Sequence, residues 1–368
     1  MPDISEADVL QALAGVQDPE LNRDFVELGM IRDVRASGGV INLAVILTTP
    51  ACPMKDEIGR RVRTALLERI PGVSAVNIEF GAQVAQFRGV GEKQPIPGVR
   101  NVIAVGSGKG GVGKSTVASN LALALRRSGA SVALVDADIY GPNIPTMFGV
   151  EGQPYQENGK IVPLTGHGLK LMSIGFLIGQ DKPLIWRGPM IAGTLKQFLY
   201  DVNWGELDYL VVDLPPGTGD APLTLVQTIP ITGAVLVTTP QDVAVEDVSR
   251  AAAMFKTLGV AVLGVVENMS YFLCPHCGER TEVFAHGGGQ TLAEKLGVPF
   301  LGELPLDAAV RVGGGPGVPL MASAPESALG QVFNGVAEAI AGRVSVAAFA
   351  GASGPLPFVP GPGLQPLA

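Results

Sequence analysis

Hydrophobic and polar positions follow one pattern over residues 1–88 and another from residue 99 onward. The first stretch predicts a helix at 5–15, a mostly apolar strand at 41–47, a helix at 54–69 and an alternating strand at 73–80. In the second of these helices, the apolar residues recur at the spacing of one helical face: Ile58, Val62, Ala65 and Leu66. Residues 1–88 are therefore predicted to form a small α+β domain.

From residue 99 to residue 345, the apolar residues form short continuous runs that alternate with helical segments. These runs, which are candidates for buried strands, are 102–105, 132–135, 209–212, 234–238 and 262–266. Strands without polar alternation suit a parallel sheet that is covered by helices on both faces. The pattern predicts an α/β domain with a mostly parallel sheet over residues 99–345.

Two segments follow neither pattern. Residues 89–98 are polar and contain glycine and proline, which is typical of a linker. Residues 346–368 are uncharged and rich in proline, glycine and alanine, and we predict a disordered tail there.

Composition and charge narrow the class of protein. Hydrophobic residues make up 47% of the chain and charged residues 16%, which allows a large core. We find no uncharged apolar run of about 18 residues or more, as a membrane span requires, and no basic region followed by an apolar stretch at the N-terminus, as a secretory signal requires. A net charge of −8 argues against non-specific binding to nucleic acid. We expect a cytoplasmic protein that binds neither nucleic acid nor a membrane.

The sequence after the first apolar run of the second domain matches the phosphate-binding pattern G-x-x-x-x-G-K-[ST]. It lies between a predicted strand and a predicted helix at 116–127, the context that this motif requires. Glycines allow backbone N–H groups to point at phosphate oxygens, and the helix N-terminus reinforces them. Lys114 is predicted to reach the β- and γ-phosphates of ATP, and the Ser115 hydroxyl to bind Mg²⁺. The predicted nucleotide-binding residues of this loop are Gly108, Lys109, Gly110, Gly111, Val112, Gly113, Lys114, Ser115 and Thr116.

Acidic residues follow two other predicted strands. Asp213 ends the run at 209–212, as an acid that holds Mg²⁺ through its water shell is expected to do. Asp136 and Asp138 come just after the run at 132–135, at the sheet edge where ligands bind in open α/β folds. Either of the latter two is also compatible with a helix cap or a turn. Beside a phosphate loop we favour a catalytic pair, with Asp136 at the Mg²⁺.

Lys109 is an additional positive charge inside the glycine run, beyond what a phosphate loop needs. Here the sequence Lys109–Thr116 resembles the deviant Walker A family, which includes nitrogenase iron protein, partition ATPases and septum-site ATPases. The resemblance implies a homodimer in which Lys109 reaches the partner's nucleotide and takes part in catalysis. The alternative is a solvated loop lysine.

The chain has three cysteines, and two of them form a C-x-x-C pair, Cys274 and Cys277. So small and odd a number does not suggest a disulfide framework. A zinc site would usually need a second such pair or a spaced histidine pair, and the chain has neither, although His276 and His286 are alternatives that could complete a site. A thioredoxin-like redox pair would open a helix after a strand, which the residues that follow Cys277 do not favour. An iron–sulfur cluster commonly takes four thiolates, which a two-fold dimer would supply.

The chain at this point resembles the Mrp/ApbC family of iron–sulfur cluster carrier ATPases. The resemblance extends from about residue 10 to 340 and rests on GKGGVGKST, VDADIYGPN, WRGPM, VVDLPPGTGD, VENMS, CPHCG and LGELPLD. It implies ATP hydrolysis and a [4Fe-4S] cluster that Cys274 and Cys277 bridge across a homodimer and that passes to apo-proteins. It also implies that Asp138 orients the attacking water and that Asn268 reads the adenine edge. For Asn268 the alternative is an ordinary turn residue.

Residues 1–88 resemble the PaaD/SufT-like iron–sulfur assembly domain through DPEL and LTTPACP. Cys52 falls on the cysteine of that family, which makes it an accessory candidate for cluster handling. The alternative is a small buried thiol, because free cysteine is often buried.

Two other functions compete with a cluster carrier. A positioning or partition-type ATPase would bind DNA or a membrane, but the acidic balance opposes this and the C-x-x-C pair would have no role. A dimeric electron-transfer reductase like nitrogenase iron protein also bridges a cluster, but with single cysteines in two separate segments.

Overall fold

The computed structural model describes residues 4–87, 93–177, 188–310 and 317–349, without the side chains of 188–192. The chain divides into two compact units. The first comprises Met1–Ala85 and Ala341–Ala368, and the second comprises Gln86–Ile340.

The first unit has two helices and a three-stranded sheet in its N-terminal part. Its elements are α1 (Glu6–Leu13), β1 (Ile31–Ser37), β2 (Val40–Leu47), α2 (Lys55–Arg69) and β3 (Ala75–Ala82). Strand β2 is central, antiparallel to β1 and parallel to β3. Ser5 and Asp8 form a capping box that starts α1, which satisfies free N–H groups of its first turn. The predicted small α+β fold is confirmed.

Strand β1 is the element of this unit that the sequence did not predict. Only its first residue, Ile31, is buried, and the following side chains are exposed or half-buried. A bulge between Arg32 and Arg35 further interrupts its pairing with β2. A strand at the sheet edge needs no apolar alternation to pair, so the pattern gave no signal.

The second unit is built on an eight-stranded sheet. Its strands are β4 (Val99–Ser107), β5 (Val132–Asp136), β8 (Leu164–Gly166), β9 (Leu169–Ser173), β10 (Leu207–Asp213), β11 (Gly233–Thr238), β12 (Val262–Glu267) and β15 (Phe300–Glu303). Their order in the sheet is β15-β12-β11-β4-β10-β5-β9-β8. All pairs are parallel except β8 with β9. Two short antiparallel pairs lie outside this sheet: β6 (Tyr155–Glu157) with β7 (Lys160–Val162), and β13 (Phe272–Leu273) with β14 (Arg280–Thr281).

Helices connect these strands in the manner of an open α/β fold. Those described in the second unit are α3 (Lys114–Arg127), α4 (Ile144–Phe148), α5 (Gly188–Tyr200), α6 (Asp220–Thr228), α7 (Asp242–Thr257), α8 (Gly288–Leu296) and α9 (Leu320–Ser323). The five predicted strands are β4, β5, β10, β11 and β12, and the predicted mostly parallel sheet is confirmed. The segment from β6 to β9 was not predicted, because its strands are short and those of the β6–β7 pair are largely exposed.

The predicted linker at 89–98 is not a free segment where it is described. Ile96 is 1% exposed and belongs to the core of the second unit. The Lys93 ammonium donates to the carbonyls of Val226 and Ile229 at 2.8 and 3.2 Å, at the end of α6. The last six residues of the segment therefore belong to the second unit, and residues 88–92 lie outside the described part.

Helix α10 (Ala328–Phe349) corrects the predicted tail and the predicted end of the second domain. The helix continues through residues 346–349, and Phe349 is buried in the core of the first unit. The unit boundary falls before Ala341 rather than after residue 345. The tail prediction is wrong for 346–349, where apolar burial stabilises the helix, and residues 350–368 lie outside the described part.

One helix in the described ranges, α10, is long and apolar enough to cross a membrane. Half of its apolar window is buried inside the protein, and the core helix of a soluble protein meets the same criterion.

Candidate functional site: a phosphate loop and a cysteine hairpin

The carboxyl ends of five neighbouring parallel strands meet at one edge of the large sheet. Strand β4 leads into the glycine loop, Asp213 ends β10, Asp136 ends β5, and Asn268 directly follows β12. Asp213 and Asp136 are register partners in adjacent strands. Parallel pairing therefore brings together residues that are far apart in the chain, such as Val112 and Asn268, which are 156 positions apart, as expected at the ligand-binding edge of such sheets.

The glycines of the loop are needed for two different reasons. Gly111 and Gly113 have φ of +82° and +86°, the left-handed region that favours glycine. A Cβ at Gly108 would lie 2.2 Å from the backbone of Asp247, so this position needs close approach to α7 rather than a special φ. Helix α3 starts at Lys114 directly after the loop, so the free N–H groups of its first turn can bind an anion there.

Lys114 is the central charge of the site. Its side chain is 6% exposed, and its Nζ lies 2.6 Å from Asp213 Oδ1 and 3.5 Å from Asp138 Oδ2. The Ser115 hydroxyl lies 3.4 Å from the same Nζ. The structure thus brings together the predicted lysine, hydroxyl and acids. This ammonium can transfer its ion pairing from carboxylate to phosphate without leaving the site.

The two acids at the strand ends are buried and shift toward the protonated form. Burial, and then the charge of Asp213, raises the pKa of Asp136 to about 7. Its Oδ2 accepts hydrogen bonds from Ser173 Oγ at 3.0 Å and from Ile144 N at 3.1 Å. Burial likewise raises the pKa of Asp213. Ser173 has no motif around it, so the sequence did not indicate this contact.

Asp213 Oδ2 is fully buried and has no hydrogen-bond partner among the described residues. A buried carboxylate oxygen without a donor is costly, and a cation removes that cost. Mg²⁺ usually takes one or two carboxylates plus phosphate oxygens and waters rather than an all-protein cage. In the described ranges, no group of three or more His, Cys, Asp or Glu could hold a metal ion by itself. The residues fit Mg²⁺ bound together with a nucleotide.

Asn268 lies against the phosphate loop. Its side chain is buried, and Nδ2 donates to the carbonyl of Val112 at 2.8 Å. A Cβ at Gly113 would come 2.1 Å from that nitrogen, so the loop glycine also leaves room for the amide. The contact positions Asn268 at the nucleotide site, and its reading of adenine stays a prediction.

Lys109 is half-buried, and within the described part of the chain its ammonium forms no ion pair. Its carbonyl accepts a hydrogen bond from Ser107 Oγ at 3.0 Å. The contact of Lys109 with a partner's nucleotide stays a prediction. Of the WRGPM motif, Trp186 and Arg187 lie outside the described residues, and Gly188 begins α5.

Cys274 and Cys277 lie in the tight loop of the β13–β14 pair, which we call the cysteine hairpin (Phe272–Thr281). Cys274 N donates to Glu279 O at 2.9 Å, and Gly278, with φ +74°, donates to Cys274 O at 2.8 Å. Both thiols are free; Cys277 is exposed and Cys274 half-buried. Hydrogen bonds from the backbone of Cys277 and then of His276 lower the pKa of Cys274, which favours the thiolate that binds metals.

Cys52 in the first unit has a carboxylate neighbour that the sequence did not single out. Its Sγ lies 4.0 Å from Glu20 Oε2, within reach of a weak S–H hydrogen bond. Burial, and then the charge of Asp18, raises the pKa of Glu20 to about 7. The DPEL motif that suggested the family thus supplies a side chain at the cysteine.

Two family models match the chain, one over each domain. A model described as the NUBPL iron-transfer P-loop NTPase matches residues 98–341. A model described as an iron-sulfur cluster assembly protein matches residues 6–80.

Similar proteins include an iron-sulfur cluster carrier protein of Synechocystis, which is 51% identical over 92% of this chain and 98% of its own length. The iron-sulfur cluster carrier protein of Escherichia coli K12 is 41% identical over 93% of both chains. The iron-sulfur cluster transfer protein NUBPL of Dictyostelium discoideum is 46% identical over 70% of this chain and 83% of its own length.

Among solved structures, a nucleotide-binding protein in complex with ADP from Archaeoglobus fulgidus has a TM-score of 0.55 and 44% identity. The match covers 60% of this chain and 88% of that one. The cell division ATPase MinD of Pyrococcus furiosus has a TM-score of 0.50 and 24% identity, covering 65% of this chain and 98% of its own, which shows the same fold.

Proposed function

This chain belongs to the family of iron-transfer P-loop NTPases and carries an iron–sulfur cluster assembly domain, and from that premise we propose that it is an ATP-dependent carrier of a [4Fe-4S] cluster. The cluster is cargo: two copies of the chain bind it between them and pass it to apo-proteins. The observation that carries the proposal is the cysteine hairpin, which has two thiols. Cys277 is exposed, and the lowered pKa of Cys274 favours its thiolate form.

Two thiolates per chain do not complete the usual four-thiolate set of such a cluster. Within the described ranges, no third His, Cys, Asp or Glu joins Cys274 and Cys277. A two-fold axis through the hairpin supplies the missing pair from a second copy, since a homodimer places the same surface on both sides. Cys277 is accessible enough to meet such a partner.

As a P-loop ATPase, the chain hydrolyses ATP, and we assign the roles of its site residues as follows. Lys114 and the N–H groups at Gly108–Thr116 bind the phosphates, and Ser115 and Asp213 hold Mg²⁺, with Asp136 beside them. Asp138, whose carboxylate lies 3.5 Å from Lys114 Nζ, orients the attacking water. Asn268 lies on the adenine side, and Lys109 stabilises charge on the partner's nucleotide. Bound between these residues and the nucleotide, Mg²⁺ would neutralise charge that develops on the phosphate oxygens.

The net charge of −8 opposes non-specific binding to nucleic acid, and cluster transfer to apo-proteins does not require DNA. The proposal therefore places the protein in the cytoplasm, bound neither to nucleic acid nor to a membrane. A partition ATPase would leave the thiol pair without a function. An electron-transfer reductase would keep its cluster, whereas a carrier loses it to an acceptor.

The test is anaerobic reconstitution with iron and sulfide, followed by transfer to an apo-enzyme. We expect about four iron atoms per dimer, as one shared cubane cluster requires, and activation of the apo-enzyme as the donor loses its visible absorption. Cys274→Ala and Cys277→Ala should each abolish the absorption, and Cys52→Ala is the matched control that keeps it. A colourless zinc protein, or a cluster that changes redox state but never leaves, would contradict the proposal.

A further inference from the structure

The turn between β12 and the cysteine hairpin is short and strained. Asn268, hydrogen-bonded to Val112 of the phosphate loop, is six residues before Cys274. Between them Met269 has φ +56°, a left-handed conformation that is uncommon for a bulky side chain. Such strained backbone persists only where the surrounding structure determines it, and it clusters at functional sites.

Glu267 fixes this turn to the start of α8. The side chain is completely buried, and its Oε1 accepts hydrogen bonds from Ser270 Oγ at 2.6 Å and from Gly287 N at 3.2 Å. Its Oε2 accepts from Gly289 N. Because a buried carboxylate with several donors is held firmly, the turn is expected to move as one body rather than to bend.

Three side chains then fasten the hairpin to the edge of the sheet; we call Arg280, Glu303 and His286 the latch. Arg280 Nη2 donates to Glu303 Oε2 at 2.8 Å and lies 3.2 Å from His286 Nδ1. The same guanidinium lies over the ring of Tyr271, 4.0 Å from its centre. His286 Nδ1 is also 3.3 Å from the hydroxyl of Ser270, so the latch touches both the hairpin and the turn.

We propose that the latch is a positioning device which couples the phosphate loop to the cysteine pair. It holds the hairpin to the turn, and Asn268 attaches that turn to Val112 of the loop. Nucleotide binding at the loop therefore changes the accessibility of Cys274 and Cys277. The proposal rests on the proposed function only in taking this pair as the cluster site. Neither Arg280 nor Glu303 belongs to the nucleotide site.

The physical requirement for such coupling is a contact that differs between two states of the loop. In the proposal, the bond from Asn268 to Val112 supplies it: closure of the loop's N–H groups on phosphate would move the Val112 carbonyl to which Asn268 donates. A rigid turn transmits the shift over six residues. Among the described contacts, those that remain near the hairpin without the latch are backbone bonds of the turn, such as Leu306 N to Tyr271 O at 2.7 Å. They end before Cys274, so the shift would be lost in the motion of the hairpin.

The test measures thiol alkylation in the full chain without iron, in a Cys52→Ala background so that only the hairpin cysteines react. Mg–ADP should change the alkylation rate of the pair by at least about fivefold, the low end of ordinary allosteric couplings. In Arg280→Gln and in Glu303→Gln we expect the ratio to fall toward unity while ATP hydrolysis is unchanged. Arg280→Lys, which keeps the charge but not the planar fork, should restore part of the effect.

Arg127→Gln is the matched control, because it removes another arginine–glutamate pair, with Glu326, from the same unit. It should leave the nucleotide effect intact. The proposal is overturned if Mg–ADP has no effect on the parent protein, or if the effect survives in both latch variants. Since the readout needs no iron, a chain that shows the effect but never binds a cluster would refute the proposed function alone.

Discussion

Lys114 is a buried ammonium that is held by two carboxylates. Its removal should therefore affect both ATP hydrolysis and the stability of the second unit, and the two effects can be measured separately. We predict that Lys114→Ala lowers ATP hydrolysis at least about a hundredfold, as removal of a preorganised charge does. It should also destabilise the second unit at pH 8 by about 3 kcal/mol, because breaking a buried pair leaves an uncompensated charge. Burial raises the pKa of Asp213, so the unpaired acid can protonate, and the stability loss should shrink as the pH falls. Turnover assays and urea unfolding measure the two effects.

Lys109→Ala is the informative comparison. In the described part of the chain Lys109 forms no ion pair, so its removal should leave stability within about 0.5 kcal/mol of the parent. If Lys109 acts on a partner's nucleotide, hydrolysis should still fall. Equal loss of stability in both variants would contradict the assignment of Lys114 as the paired, structural charge.

Glu20 provides a prediction about pH. Its pKa is raised to about 7 from 4.5, so the folded first unit binds this proton more tightly than the unfolded chain does. The stabilisation is complete below pH 4.5 and is lost as the pH rises through 7. Glu20→Gln should therefore leave the unit more stable than the parent at pH 8, by about 1 kcal/mol after allowance for partial exposure, and similar to it at pH 4.

Hydrogen exchange in α2 measures the opening free energy of this unit. Glu27→Gln serves as the control, since Glu27 is an exposed glutamate of the same unit. An identical pH dependence in the parent and in Glu20→Gln would show that the carboxyl group is not held in the protonated form.

At the level of elements, the segment before β4 is part of the second unit. Ile96 is 1% exposed in its core, so Ile96→Ala should lower the free energy of unfolding by about 2–5 kcal/mol. Gln94→Ala, at an exposed position two residues earlier, keeps the backbone carbonyl that accepts from Tyr200 and should cost less than about 0.5 kcal/mol. Both tryptophans of the chain, Trp186 and Trp204, fall within this unit, so their fluorescence during urea unfolding reports it. Equal stability of the two variants would mean that residues 93–98 act only as a linker.

Strands are easiest to predict from the sequence when both of their faces are buried, because burial then requires an apolar residue at nearly every position. Strands β4, β10 and β11 are buried almost throughout, so they required apolar runs that were readable without a structure. Strand β1 pairs at an edge with exposed side chains, and the β6–β7 pair is short and largely exposed. Such strands form through backbone pairing with neighbours that the local sequence does not specify.

The same limit applies to the site. Lys114, Asp136 and Asp213 were predicted because phosphate chemistry fixes residue type and spacing close to strand ends. The contacts of Ser173 with Asp136, and of Glu20 with Cys52, depend on chain segments that only the tertiary fold brings together. The linker prediction is wrong at 93–98 for a related reason: glycine and proline mark a turn, but not whether the turn is packed.

At the scale of the whole molecule, the proposed shared cluster makes assembly and cargo loading one equilibrium. A ligand that binds only the dimer stabilises it by mass action, so the loaded protein should dissociate at a concentration at least about tenfold lower than the iron-free protein. Anaerobic sedimentation over a dilution series measures this shift. Cys277→Ala should remove it, since it deletes the exposed ligand, and Cys52→Ala should retain it. A cluster that persists in monomers at high dilution would contradict the bridging arrangement. The two thiolates of one chain would then need further ligands from the same chain, and Cys52 or a histidine would be the next residue to test.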